Sequence, residues 1–375
     1  MRVYTICVLI FLAFFYGCQK NKDFKKSPEY KGLPKLLATS LKADYKVNDE
    51  WKRDAWTISP QVEFDSLLIT CHSDKEEFTF ATDLDSISAV LKPGKILQFY
   101  VSLKDTAYAL TVIKGIKPNF KSLNFDTSTE NQNLEFLYEE NSNNPYLDLF
   151  RTQYPMDSLI KNCVSDAEKI LKVMNWAHNQ WEHNGSNEPS RNEALTILKE
   201  AETGKNFRCV EYATVTATAL NSLGLKSRVM GLKTKDAETR QYGAGHVLLE
   251  VYLNDLKKWV VIDSQWDAMP TLNNVPLNAV EFQKAISENY DKLKLMSYSD
   301  LSKRDYVDWV YPYLFYFDIK FDNREGLEVK RHKIDGKNSL MLVPLGAKNL
   351  KVFQRKFKLD NCIYTNSLKD FYRKP

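Results

Sequence analysis

His246-Val-Leu-Leu-Glu-Val-Tyr252, then Leu253-Asn-Asp-Leu256, then Lys257-Lys-Trp-Val-Val-Ile-Asp263 is the stretch that decides the fold. Its flanks are rich in β-branched and aromatic residues, and Asn254-Asp255 suits the positive φ angles of a tight type I′ turn, so it reads as a β-hairpin. A two-residue turn centred there pairs Leu253 with Leu256, and counting back along both strands sets His246 directly opposite Asp263. Cross-strand partners point to one face with Cβ atoms about 4.5–5.5 Å apart, close enough for a carboxylate to accept the imidazole N–H. On the other face Val247, Leu249, Val251, Val260 and Ile262 are all apolar. A slip of one residue would expose that whole set.

Upstream, Phe207-Arg-Cys-Val-Glu-Tyr-Ala-Thr-Val-Thr-Ala-Thr-Ala-Leu-Asn-Ser-Leu223 has Val210, Ala213, Ala217, Leu220 and Leu223 at three- and four-residue steps, and Gly224 follows as a C′ stop. Cys209 therefore sits at or near a helix N-terminus. Unpaired backbone N–H groups and the positive end of the helix dipole favour a negative sulfur there, with Arg208 as a cation next door. A sulfur nucleophile, an imidazole and a carboxylate that orients it make a minimal acyl-transfer site. Each residue alone has an ordinary reading: a lone cysteine is usually a small buried hydrophobe, and a strand histidine a satisfied polar group. Their convergence carries the catalytic reading.

These residues also carry a resemblance. Cys209-x-x-Tyr212-Ala213, Leu223-Gly-Leu225 with Arg228-Val229, His246 with Glu250-Val-Tyr252, and Trp259 with Ile262-Asp263 resemble the transglutaminase-like, papain-related superfamily. Ile170-Leu-Lys-Val-Met-Asn-Trp-Ala-His178 and Ala194-Leu-Thr-Ile-Leu198 are similar to the helices that precede the family's cysteine. The likeness runs from Asp157 to Pro270 and implies a Cys209–His246–Asp263 triad. Leu248 stands where an aromatic residue is usual, and Ser264 where a proline is common. The resemblance admits amine transfer, peptide or other amide hydrolysis, and inactive binding forms.

The fold class expected is α+β: a core of helices, with the cysteine at a helix N-terminus, packed on an antiparallel sheet. An N-terminal β module and a C-terminal β-rich region flank it. The divisions expected are a signal peptide at 1–17, a tether at 18–60, a β-sandwich-like module at 61–116, a linking region at 117–155, the core at 156–275 and an aromatic β-rich region at 276–375. In the module, alternation in Leu97, Phe99, Val101 and Leu103 and in Tyr108, Leu110 and Val112 marks two strands, with Lys92-Pro-Gly-Lys95 as a turn. Within the linking region a short helix is expected near Tyr146 to Arg151. Tyr306, Trp309, Tyr311, Tyr313, Phe315, Tyr316 and Phe317 read as core or as sheet packed on a neighbour.

Met1-Arg2 followed by an apolar run from Val3 to Phe15 and then Gly17-Cys18 looks like a bacterial lipoprotein signal, with Cys18 as the acylated first residue of the mature chain. The run is short for a membrane span. Lipid anchorage outside the cytoplasm, in the cell membrane or outer membrane, is the expectation, with Lys20 to Lys26 as a solvated tether. With 375 residues, 43% hydrophobic and 27% charged, the chain can bury ample core. The net charge of +4 is spread out, with no basic stripe interleaved with aromatics, which excludes a dedicated nucleic-acid binder.

Of six cysteines, Cys7 leaves with the signal and Cys18 takes lipid. Cys71, Cys163, Cys209 and Cys362 have no C-x-x-C spacing, and one disulfide among Cys71, Cys163 and Cys362 stays open. His178 and His183 are five apart, where sharing a metal from one helix face wants four, so no metal and no cofactor is expected. The long charged loop from Lys233 to Gly245 has the profile of a segment over a site. The oxyanion would be held by the Cys209 backbone N–H and one further donor, with Gln180 and Trp181 as candidates. The expected partner is a peptide or protein substrate, with cell-wall or glycan-linked substrates left open. Hydrolysis is preferred, because a tethered extracytoplasmic enzyme meets abundant water.

Overall fold

A computed structural model describes residues 28–139, 144–326 and 330–375. The signal segment, Cys18 and the Lys20–Lys26 cluster lie outside the described residues. The chain divides into two compact units at Lys117/Pro118.

The first unit is a sandwich of nine strands: β1 (Glu29–Tyr30), β2 (Leu33–Ala38), β3 (Lys42–Val47), β4 (Glu50–Thr57), β5 (Asp65–Thr70), β6 (Glu76–Ala81), β7 (Ser86–Leu91), β8 (Ile96–Leu103) and β9 (Ala107–Ile116). One sheet has the order β1-β2-β8-β9-β5 and the other β4-β3-β6-β7. Alternate residues of both sheets meet in one apolar core, including Phe78, Phe80, Phe99, Val101 and Ile113. The β7–β8 turn is where Lys92-Pro-Gly-Lys95 places it, with Gly94 at φ +83°. The expected tether, however, is strand from Glu29 onward. The β3–β4 hairpin escapes a hydrophobic reading because β4 is an outer strand whose Trp51, Arg53, Asp54 and Ala55 face solvent, and charge on an edge strand guards it against stray pairing.

The second unit begins with α1 (Pro145–Gln153), α2 (Met156–Ile160), α3 (Asp166–His178), α4 (Ala194–Ala201) and α5 (Cys209–Ser222), then β10 (Ser227–Lys233), β11 (Gly245–Leu253) and β12 (Lys258–Ile262). It continues through β13 (Met269–Leu272), β14 (Val275–Pro276), α6 (Ala279–Glu288), β15 (Leu293–Met296), α7 (Lys303–Val310), β16 (Tyr316–Lys320), β17 (Ser339–Leu342), β18 (Val352–Phe353), β19 (Phe357–Lys358), β20 (Cys362–Thr365) and α8 (Leu368–Phe371). Its main sheet has the order β12-β11-β10-β16-β17-β20, antiparallel except for the β17–β20 pair. The C-terminal region is thus no separate body, since three of its strands extend the core sheet. Nor is its aromatic cluster mainly strand. Ser302 caps α7 by accepting the Asp305 N–H, and Tyr306, Val307 and Val310 are buried at helical spacing.

Helices cover both faces of this sheet. Leu249, Val251, Val260 and Ile262 pack against the helices α3, α4 and α5, while Leu248, Val261, Met230 and Leu232 pack with Phe282, Tyr306, Val307 and Val310. The α5 helix is buried nearly all round, and its Ala and Thr residues let neighbours approach on every side. The hairpin faces are those the alternation predicts, but its register is shifted by two. Leu253 pairs with Lys258 and Leu249 with Ile262, because the turn takes four residues and ends on Lys257 at φ +49°. A slip of two preserves each side chain's face, so His246 and Asp263 remain on one side as diagonal rather than direct partners. Among the described residues no helix is long and apolar enough to cross a membrane. The four described cysteines are all free, which overturns the disulfide left open above.

Candidate active site

The sulfur is placed by a helix start. Arg208 is extended (φ −84°, ψ 176°) and Glu211 reaches back to its backbone N–H at 3.1 Å, closing a capping box that makes Cys209 the first residue of α5. Cys209 is partly exposed. Its backbone N–H belongs to the first turn, where no intrahelical partner exists. Arg208 does not serve as a free cation beside the sulfur. Its guanidinium binds Glu211 through Nε at 3.2 Å and Nη2 at 2.7 Å, and Glu188 takes Nη1.

The imidazole comes from β11. His246 is 2% exposed, and its Nε2 lies 2.8 Å from Asp263 Oδ2. That leaves Nδ1 for the sulfur, and Cys209 is near enough to interact with the His246 ring and raise its proton affinity. Burial disfavours a charged imidazole here, but the Asp263 carboxylate, then Cys209, outweigh it and push His246 up to about 10. At neutral pH the ring therefore keeps its proton and stands as a positive charge beside the sulfur, the setting that favours thiolate chemistry.

The carboxylate is 1% exposed, one residue beyond β12. Its Oδ1 accepts the Gln265 N–H at 3.1 Å, and its Oδ2 also accepts the Tyr306 hydroxyl at 3.1 Å. Burial, then the Asp263 charge, push the Tyr306 phenol well above its usual range, so it stays a donor. Trp309, one turn further along α7, sets its ring edge-on to His246 with centroids 4.8 Å apart, and Trp266 packs on Trp309 at 5.0 Å. In the sequence these aromatics read as core, and Tyr306 and Trp309 have no visible link to the site. The Ser302–Asp305 cap and the spacing to Val310 were the signals for a helix, but nothing local connects that helix to Asp263.

The turn after Asp263 is braced from three sides. His178 Nδ1 lies 3.2 and 3.1 Å from the carbonyl oxygens of Ser264 and Gln265, so that nitrogen donates. Thr216 Oγ1 of α5 is 2.7 Å from Ser264 Oγ. Asp267, at φ +51°, accepts on Oδ2 from Asn175 Nδ2 at 3.0 Å and from the N–H groups of Tyr298 and Ser299 at 2.8 and 2.9 Å.

The two oxyanion candidates separate. Gln180 turns back on its own helix, donating Nε2 to the Trp176 carbonyl at 2.7 Å. Trp181 Nε1 is buried and has no partner among the described residues, while its ring packs on Tyr212 at 4.5 Å and Phe207 at 5.6 Å, the residues that flank Cys209. A buried, unpaired indole N–H is a donor in waiting. In the Lys233–Gly245 loop, Ala237 and Ala244 are buried against Tyr316 and Met341. Gly243 has φ +62°, and a Cβ on Gly245 would come within 2.9 Å of the Phe353 ring. Tyr313 packs its ring toward His246 with centroids 6.0 Å apart; burial raises its phenol, with Arg240 opposing and Cys209 adding to the shift.

Among the described residues no three His, Cys, Asp or Glu side chains are grouped to hold a metal ion. A cleft of about 320 Å³ lined by Thr214, Asn221, Arg324 and Glu325 opens toward the far end of α5. It contains no nucleophile with an adjacent base, so this cleft and the acyl-transfer chemistry lie apart on the helix.

Residues 156–264 match the family model of the transglutaminase-like superfamily. That span runs from α2 to the residue after Asp263, and this part of the chain is a transglutaminase-like core. No curated protein matches the chain. Among solved structures, a candidate cysteine protease from Cytophaga hutchinsonii is 13% identical over 69% of this chain and 72% of its own, with a TM-score of 0.27. The periplasmic domain of TgpA from Pseudomonas aeruginosa is 15% identical over 34% of this chain and 47% of its own, with a TM-score of 0.25. A candidate protease from Parabacteroides distasonis is 10% identical over 52% of this chain and 65% of its own, with a TM-score of 0.24. At such scores these likenesses carry no argument about activity.

Proposed function

We propose that the chain is a thiol hydrolase of peptide or other amide bonds, with Cys209 as nucleophile, His246 as proton carrier and Asp263 as the group that orients the imidazole. The observation that carries this reading is His246 itself, which is hydrogen-bonded to Asp263 Oδ2 at 2.8 Å and whose proton affinity is raised by Asp263 and Cys209 together. In the first step the Cys209 proton rests on His246 and the sulfur attacks the amide carbonyl carbon, giving a tetrahedral oxyanion. The Cys209 backbone N–H and Trp181 Nε1 are the donors assigned to that oxygen. Collapse breaks the C–N bond, the leaving nitrogen takes the proton from His246, and a thioester remains. Water then gives a proton to His246 and attacks the thioester, releasing the acid and returning the proton to sulfur.

The leader and Cys18 support a mature chain held by lipid on an extracytoplasmic membrane face, where peptides are the substrates. The chain from Gln19 onward, incubated with a peptide digest and followed by mass spectrometry, tests the activity. New peptide termini and a hydroxylamine-sensitive acyl adduct on Cys209, both absent from Cys209→Ala, are expected. Incorporation of a labelled amine without cleavage would establish transfer instead. Peptide binding with no adduct and no cleavage would make the chain a binding protein.

A further inference from the structure

Two histidines precede the cysteine, and the structure gives them different fates. The His178 ring is spent on two backbone carbonyls behind Asp263. His183 is exposed, and its ring has no hydrogen-bond partner among the described residues. Its backbone, by contrast, is firmly held. His183 forms a parallel bridge with Phe207, two residues before Cys209, and the Asn184 N–H donates to the Phe207 carbonyl at 2.8 Å. Asn187 Nδ2 donates to the Asn206 carbonyl at 2.9 Å, and the Glu182 N–H donates to Asn206 Oδ1 at 3.3 Å. The segment carrying His183 is thus fastened to the segment that delivers the sulfur.

The ring also lies within the field of the site. Although the residue is exposed overall, its ring is partly shielded, and that partial burial, then the positive charge of His246, hold His183 below the usual imidazole range, with Asp263 opposing them. A neutral imidazole has one N–H donor and one bare acceptor nitrogen. A peptide amide presents the complementary pair. The nearby cations are already matched, Arg208 by Glu211 and Glu188 and Arg240 by Asp236 at 3.3 Å, so among the described residues these arginines are not left open for a carboxylate guest.

We propose that His183 is a substrate-contacting residue, whose imidazole hydrogen-bonds a backbone amide of the peptide next to the bond that Cys209 attacks. This rests on the hydrolase reading above and names the contact that would favour a peptide over an isolated amide. The test compares two reagents on the full chain and on His183→Ala, measuring the rate of mass addition at Cys209. One is iodoacetamide, which needs only the sulfur. The other is a set of dipeptidyl chloromethyl ketones, each paired with its backbone N-methylated analogue.

The expected result is unchanged iodoacetamide labelling, about tenfold slower labelling by the peptidyl reagents and partial recovery in His183→Gln, which keeps a donor and an acceptor. The N-methylated reagents should label parent and variant equally. Equal peptidyl rates in parent and variants overturn the inference while leaving the thiol site standing, as does an equal slowing of both reagents, which would put His183 at the sulfur rather than the substrate. If neither reagent labels Cys209 in the parent, the hydrolase reading falls and the inference goes with it.

Discussion

The sandwich and the second unit bury very different things. The sandwich encloses Phe78, Phe80, Phe99 and their apolar neighbours, with Glu76, Ser102 and Thr111 as its buried polar side chains among the described residues. The second unit buries Glu211, Arg228, His246, Glu250, Asp263, Asp267 and Gln283 along with its apolar core. Burying charge gains little stability by itself, since desolvation offsets most of the attraction. The second unit carries that cost where geometry has to be specified: at the start of α5, around His246 and Asp263, and behind them where Arg228 lies against Trp259 and binds Glu250 at 2.6 Å. In the sandwich, Glu76 is the one buried carboxylate among the described residues, and the rest of its core relies on shape.

Four experiments would break or sharpen this contrast. Cys209→Ala removes the nucleophile from a partly exposed position and should lower turnover at least about a thousandfold with the melting temperature nearly unchanged, as steady-state kinetics and calorimetry will show. Next in size, Arg228→Met leaves Glu250 charged and buried, and Phe99→Ala leaves a cavity. Each should cost its own unit about 3–5 kcal/mol in denaturant unfolding. Adding Glu250→Leu should recover much of the Arg228→Met loss, because two matched apolar residues replace a pair. A double variant no more stable than the single one would contradict the view that the charge is the problem.

Tyr306→Phe takes one donor from Asp263 and should reduce kcat/KM about tenfold with little change in KM. The smallest effect concerns pH. His246 is raised from 6.5 to about 10 in the folded chain, so its pairing stabilises fully below about 6.5 and is lost as pH climbs toward about 10. Melting temperatures of the parent should therefore fall across that window more than those of His246→Gln.

What the sequence revealed follows the range of each interaction. The apolar steps from Val210 to Leu223 and the stop at Gly224 place the start of α5 correctly, because helix ends are local. Alternation along β11 and β12 assigns every face, yet the pairing is off by two because Lys257 adopts a left-handed conformation and the turn takes four residues. Period-two patterns cannot detect that slip, which is why His246 and Asp263 still meet. Tyr306 lies 43 residues beyond Asp263, and no local pattern joins them. Arg208 reads as a cation for the sulfur in the sequence because one of its carboxylate partners, Glu188, lies 20 residues away and the other, Glu211, closes on it only once the helix starts. The charged β3–β4 hairpin read as tether for the opposite reason, since its apolar side is confined to a few inward residues such as Ala43 and Val47.

The central claim is that a protonated His246, held by Asp263, activates the sulfur at residue 209. Cys163 is also partly exposed and has no such neighbour among the described residues, so it is an internal reference. Competitive alkylation at pH 6.5, read site by site by mass spectrometry, should modify Cys209 at least about tenfold faster than Cys163, with the advantage lost in His246→Ala. Equal rates at the two cysteines, or an advantage that survives His246→Ala, would contradict the account.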